Sequence, residues 1–397
     1  MIYVPTRVAL AKDGNFKRVP PRDPKDRQAD YLNRFDFHTL FSDVFIQDGR
    51  VWMIGPPFLN LEAELRASSF HWNWSDVTED VLFENFNRMS RASFPVDHDN
   101  GHLKIEGPLG LWKLNVDSIV PLCLEGANIL VTQQQDNRLE WIAYWAYFNS
   151  QINGVDTLIV YDNSSSLYNA ELVDQVISRV PGIKNHIVVK WDTPYGATGG
   201  PNSVWDSDFG QHISWEHCRR AFSSSAQTVC VIDIDELPIS PKGQPLALML
   251  AESQKPALLF KRQPIRQFPN RAQDTNSMRV HDSFSMGETR GAWLAGKYIF
   301  SPSLLPDGAQ LMVHRISGVD NSAEPEGDIF AGHFDGIRIR WRHGEKQPVP
   351  LISDISAITE PVHLVDAFDR AFEELREGWW RLSDELSIFF GEQDLRS

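Results

Sequence analysis

Between residues 127 and 190 the chain alternates short apolar runs with helical patterns, and that order leaves few folds open. Residues 127–132 (Ala-Asn-Ile-Leu-Val-Thr) form an apolar strand. A polar turn over 133–137 follows, and Asn137 with Glu140 three positions later makes a capping pair for a helix. Leu139, Ile142, Ala143 and Ala146 then recur at helical spacing until Gly154 stops the helix. Residues 157–161 read as a second strand, 170–177 as a second helix and 186–190 as a third strand. This succession predicts an α/β fold, with parallel strands in one sheet and helices packed on it. Ligands of such sheets bind beyond the carboxyl ends of the strands. Asp162 and Trp191-Asp192 stand at those ends.

A further strand end carries the densest chemistry. Residues 229–236 read Val-Cys-Val-Ile-Asp-Ile-Asp-Glu, an apolar run that breaks into three carboxylates. Strand alternation would put Asp233 and Asp235 on one side and Glu236 on the other. Two adjacent like charges repel, so one carboxyl titrates high unless a cation lies between them. Oxygen ligands of this kind suit Mg2+ or Mn2+ better than zinc. A solvated pair of acids at a strand end is the plainer alternative, and the motif alone leaves it open.

The chain is long enough, at 397 residues, for a full core with additions. Thirteen Trp and twenty-three Phe call for much aromatic packing. With 38 basic against 53 acidic residues the formal net charge is −15, which argues against a nucleic-acid partner. A local cluster of Arg, Lys or metal can still receive an anionic nucleotide. Cys123, Cys218 and Cys230 are odd in number and lack CxxC spacing, so neither a disulfide framework nor a structural zinc site is expected. No apolar leader and no membrane-length stretch is present, and a reduced, cytoplasmic protein is the expectation.

Three parts are expected: residues 1–120, 121–345 and 346–397. The first is β-rich, with a hairpin over 41–54 turned by Asp48-Gly49 and further strands near 103–105 and 110–114. The last is helical, with Val365, Phe368, Phe372 and Leu375 in a 3,4 rhythm. It packs on the body or on a second subunit, or else lies against a membrane surface. Five acids between Asp366 and Glu377 disfavour the membrane, and the oligomeric state is left open.

Several segments together resemble the family 2-like and family 92 glycosyltransferases. They are Asn137-Arg-Leu-Glu-Trp-Ile-Ala-Tyr-Trp, then Gly154-Val-Asp-Thr-Leu-Ile-Val-Tyr-Asp-Asn-Ser-Ser, then Cys218-Arg-Arg with Val231-Ile-Asp-Ile-Asp-Glu-Leu. The resemblance covers about residues 127–345. It implies a GT-A fold, a Rossmann-type sheet, and a DxD motif at Asp233 and Asp235 holding Mn2+ or Mg2+ against the diphosphate of a nucleotide sugar, a UDP-sugar first. It further implies that Thr132 and the turn reaching Asn137 flank the nucleotide, that Asp162 meets base or ribose, and that Trp191 and Lys297 belong to the donor site. His314 is then the third metal ligand. Residues 329–334 resemble a following His-Tyr element. The family's Asn-Glu turn is here Gln133-Gln-Gln-Asp136-Asn137, and Leu237 stands where Phe is common.

The chemistry needs these parts for its own reasons. A departing nucleoside diphosphate gathers negative charge that a cation must neutralise. An inverting transfer needs a base for the acceptor hydroxyl, and Asp335, Glu288 and Asp282 are the candidates. The acceptor would be a glycan, a polysaccharide or another hydroxyl compound. Two further classes stay in view: a non-catalytic sugar- or nucleotide-binding protein of the same fold, and a HAD-type phosphotransferase. The latter places Asp-x-Asp on its first strand, whereas three strand-like segments precede the motif here.

Overall fold

The computed structural model describes residues 1–119, 124–269, 280–288, 294–319, 329–343 and 363–394. Its centre is a ten-stranded sheet. From one edge the strands Ile2–Tyr3, Asn185–Lys190, Thr157–Asp162, Asn128–Gln134 and Thr228–Val231 run parallel. Leu294–Phe300 then pairs antiparallel, and Ala257–Pro269, Phe330–Phe334 and Glu236–Ile239 extend the sheet in mixed sense. The fold is thus mixed α/β, with its parallel half built from the predicted alternation.

The strands explain why both faces are covered. Leu130, Leu158, Val160, Val188 and Cys230 point to one face, under the helices Leu139–Asn153 and Ala170–Ile177. Their neighbours Ile129, Val131, Ile159, Val189 and Val231 point to the other, under the helix Gly210–Ala221. A period of two in a sheet buried on both sides makes such strands continuously apolar. Gly154 ends its helix at φ 72°, as expected. The capping pair is corrected: the helix begins at Leu139 with Arg138 as its cap. The Asn137 amide instead bonds Gln134 Oε1 at 3.2 Å, an acceptor that draws the turn back toward the strand.

The N-terminal region supplies two four-stranded antiparallel sheets. Asp43–Gln47 and Arg50–Gly55 form the expected hairpin, with Asp48 and Gly49 both at positive φ. Ile2–Tyr3, however, joins the central sheet. Among the described residues the C-terminal part is one helix, His363–Asp394. Phe368, Phe372, Leu375 and Trp379 on it are buried against the body, and the Trp379 ring meets Tyr144 edge-on at 4.9 Å. No described helix is long and apolar enough to cross a membrane. Cys218 and Cys230 are buried free thiols, and Cys123 lies outside the described residues.

Candidate active site

The expected extended run through residue 236 breaks at Val231. The last ladder link is Ile232 N to Val131 O at 3.4 Å, and Glu236 N then bonds Asp233 O at 3.1 Å, closing a turn. Glu236 therefore does not face away: its Oε2 accepts from Asp233 N at 2.9 Å. Two buried cations draw it inward, Arg262 Nη1 at 2.5 Å and Lys297 Nζ at 3.7 Å. A carboxylate so held cannot also reach solvent on the opposite side. The sheet register sets Glu236 directly opposite His333.

A cavity of about 280 Å³ opens here, at the carboxyl edge of the parallel strands. Asp233, Asp235, His314, His333, Gln133 and Asn137 line it. Four guanidinium groups join them, those of Arg262, Arg338, Arg340 and Arg342. In a chain of net charge −15 this is a local reversal of sign.

The two motif carboxylates have different surroundings. Asp233 accepts from Lys297 Nζ at 3.1 Å, Arg342 Nη2 at 3.2 Å and Gln211 Nε2 at 3.3 Å. Burial pushes its pKa up, but Lys297 and then Arg342 hold it far below the usual carboxylate range. Asp235 faces His333 Nε2 at 3.4 Å. Its burial, opposed by His333 and reinforced by Glu236 and Asp233, leaves its carboxyl above the usual range. His333 Nδ1 in turn faces Asp335 at 3.5 Å, and Asp335 also pairs with Arg338 at 3.2 Å. Burial lowers the affinity of His333 for its proton, yet Asp235 and Asp335 together lift it above the ordinary value.

Asn137, Asp233, Asp235 and His314 thus come together at one cavity, and Lys297 stands directly behind Asp233. His314 Nδ1 meets Gly296 O at 3.0 Å, an arrangement that places the proton on Nδ1. Burial and then Lys297 hold its pKa down at about 4, so the ring is neutral and Nε2 carries the lone pair. Thr132, Trp191, Asp162 and Asp282 do not line the cavity. Thr132 is wholly buried within its strand. Trp191 is core, its ring edge-on to Tyr161 at 5.1 Å. Asp162 lies in a neighbouring turn, bonded by Gln134 Nε2 and Ser165 Oγ, with its pKa lifted by burial to about 6. Asp282 sits beside the buried Tyr144 hydroxyl. Glu288 ends the strand Phe284–Glu288, and its side chain lies outside the described residues.

Sequence reasoning passed over the basic wall. Residues 338–342 read Arg-Ile-Arg-Trp-Arg, and all three arginines line the cavity, Arg342 from the short 3-10 turn Trp341–His343. The Trp341 ring packs edge-on to Tyr195 at 5.1 Å, and Arg342 lies over both rings. Arg262 and Gln211 carry no local signal.

No family model matches this chain, and no curated protein matches it. Among solved structures, the apo structure of the bifunctional glycosyltransferase WbbM overlaps 49% of this chain at 11% identity and a TM-score of 0.25. The overlap takes in 36% of that chain, so this protein spans about a third of it. A likeness at that score carries no argument about the reaction.

Proposed function

We propose that this chain is a glycosyltransferase that moves a sugar from a nucleotide-sugar donor, a UDP-sugar first, to a hydroxyl of a glycan acceptor with inversion. One observation carries the reading: paired acids and four arginines share a cavity at the carboxyl edge of a parallel sheet. That mixture suits a ligand with an anionic diphosphate and a sugar rich in hydroxyls, since guanidinium groups bind phosphate oxygens and carboxylates accept from hydroxyls.

The residues also fit a divalent cation. Asp235, Glu236 and His333 each bring a ligand atom within 4.8 Å of the others. Glu236 is already tied to Arg262 and Lys297, so Asp235 and His333 are the pair that would hold the ion, with the neutral His314 on the same cavity wall. Such an ion would supply charge neutralisation to the departing diphosphate. Arg262, Arg338 and Arg342 supply the same from the protein, fixed before the donor arrives. Asp335 is the base we favour, because it pairs with Arg338 at 3.2 Å and His333 links it to the cavity.

Thermal shift in the presence of UDP-, GDP- and CMP-sugars, with and without Mn2+, tests the reading. One donor should raise the melting temperature, since a ligand at a hundred times its Kd adds about 2.7 kcal/mol to the native state. Asp235→Ala should fold and lose both the Mn2+-dependent increment and transfer. No shift with any donor, with or without the ion, defeats the assignment.

A further inference from the structure

Lys297 is wholly buried, and the Asp233 carboxylate stands between it and the cavity. The same carboxylate takes a hydrogen bond from Arg342, whose side chain is 27% exposed and lines the cavity. Asp233 is itself 17% exposed, so one oxygen faces the inner cation and the other the outer one. This is how an anion sits in a two-cation cradle. A phosphate group offers the same two oxygens at higher charge.

We infer that Lys297 and Arg342 form the seat for the donor diphosphate, and that Asp233 fills this seat while the donor is absent. Binding is then an exchange of anions: phosphate oxygens take Lys297 Nζ and the Arg342 guanidinium, and Asp233 turns out into the cavity. The inference rests on the donor-site reading above but makes a separate demand. Asp233 acts as a competitor of the ligand in the resting protein, not as one of its anchors. Glu236, 3.7 Å from Lys297, keeps the buried ammonium paired during the exchange. Arg262 at 2.5 Å keeps Glu236 in place.

The alternative is a permanent structural ion pair that happens to border the cavity. The two differ in magnitude. An anchor gives weaker binding when Asp233 loses its charge, a fixed pair gives at most the small gain of one repelling charge removed from the cavity wall, and a competitor gives a large gain. The measurement is calorimetric titration of UDP, GDP and CDP with chelator present, on the wild type, Asp233→Asn and Asp233→Asn/Arg342→Gln. Removal of the competing carboxylate should tighten the preferred nucleoside diphosphate by at least about tenfold in Asp233→Asn. The added Arg342→Gln change should abolish that gain. A smaller gain, or equal or weaker binding, in Asp233→Asn, alongside measurable wild-type binding, overturns the exchange and leaves the donor site standing. Failure of every nucleotide to bind either protein, with chelator or with Mn2+, removes the donor site itself. A crystal structure of the wild type with UDP decides the matter should Asp233→Asn not fold. Phosphate oxygens on Lys297 and Arg342 with Asp233 displaced uphold the exchange, and Asp233 still bound to both overturns it.

Discussion

Asp162 shows at the scale of one residue what the fold asks of a carboxyl group. It ends the strand Thr157–Asp162 and is almost fully buried, with no cation at hydrogen-bond distance among the described residues. Burial raises its pKa to about 6 from 3.8, with the Ser165 bonds offsetting only part of the effect. The native state therefore holds a proton that the unfolded chain releases earlier. Between about pH 4 and pH 6 native protein binds more protons, so stability falls as pH rises through that window and is flat above it. Asp162→Asn keeps an oxygen to accept from Gln134 and Ser165 and carries no charge. It should raise stability near pH 7.5, by at most about 3 kcal/mol, and match the wild type near pH 4. Melting temperature against pH checks this; an unchanged gap across the range would mean that Asp162 is not the titrating group. Asp233, with the same residue type and greater charge density around it, shifts the other way because Lys297 and Arg342 reach it.

The helix Gly210–Ala221 is the element that ties the site to the rest of the protein. Every residue on it except Arg220 is buried, although its sequence is polar. Gln211 bonds Asp233, and His217 bridges Tyr161 and Asp43 at 2.7 Å each. Glu216 meets Arg91 of the N-terminal sheet and Arg220 at 2.9 Å on its own helix. Removing Glu216 leaves Arg91 buried with only the partly exposed Glu84 as its carboxylate partner. Glu216→Gln should cost about 3–5 kcal/mol, the usual penalty for breaking one side of a buried pair. Urea titration should show a lower midpoint at constant slope, and Glu216→Leu/Arg91→Met should lose less than the two single changes summed. A shift below about 0.5 kcal/mol, the scale of an exposed i,i+4 pair, would show that the cluster is only a surface network.

This helix also marks where sequence reasoning stops. The strands Asn128–Gln134, Thr157–Asp162 and Asn185–Lys190 were legible because burial on both faces writes a continuous apolar run, and Gly154 because a left-handed cap needs it. Asp233 and Asp235 could be placed at one rim by the rule for parallel sheets, whereas His314 was implied only by the family resemblance. The turn at 232–235 could not be read, since the force that bends it is the pull of Arg262 and Lys297 on Glu236, 26 and 61 positions away in sequence. His217 and Glu216 bury polar groups whose partners, Asp43 and Arg91, lie in another part of the chain. No local period encodes such a partner.

At the scale of the whole molecule, the N-terminal region and the central sheet share one interior. Phe45, Trp52 and Met89 from the first part belong to the same apolar cluster as Ile129, Val131, Trp215 and Phe300. Polar links cross at the same place: His217 to Asp43, both fully buried, and Arg88 to Asp208 at 2.7 Å. Ile2–Tyr3 adds a strand to the central sheet itself. Residues 1–119 are thus part of the surface on which the helix Gly210–Ala221 rests, and that helix positions Gln211 against Asp233. A chain cut to residues 124–397 would expose this apolar face and remove Asp43 from His217, Arg91 from Glu216 and Arg88 from Asp208. The cost of several buried polar groups left unpaired, at about 1–3 kcal/mol each, is comparable with the entire stability of a domain. The intact protein should therefore unfold in urea through one transition, with far-UV circular dichroism and Trp fluorescence superimposed, and the 124–397 fragment should show no cooperative transition. Two separated transitions, or a fragment that melts cooperatively and still binds a nucleoside diphosphate, would make the N-terminal region a detachable accessory instead of half of the support beneath the site.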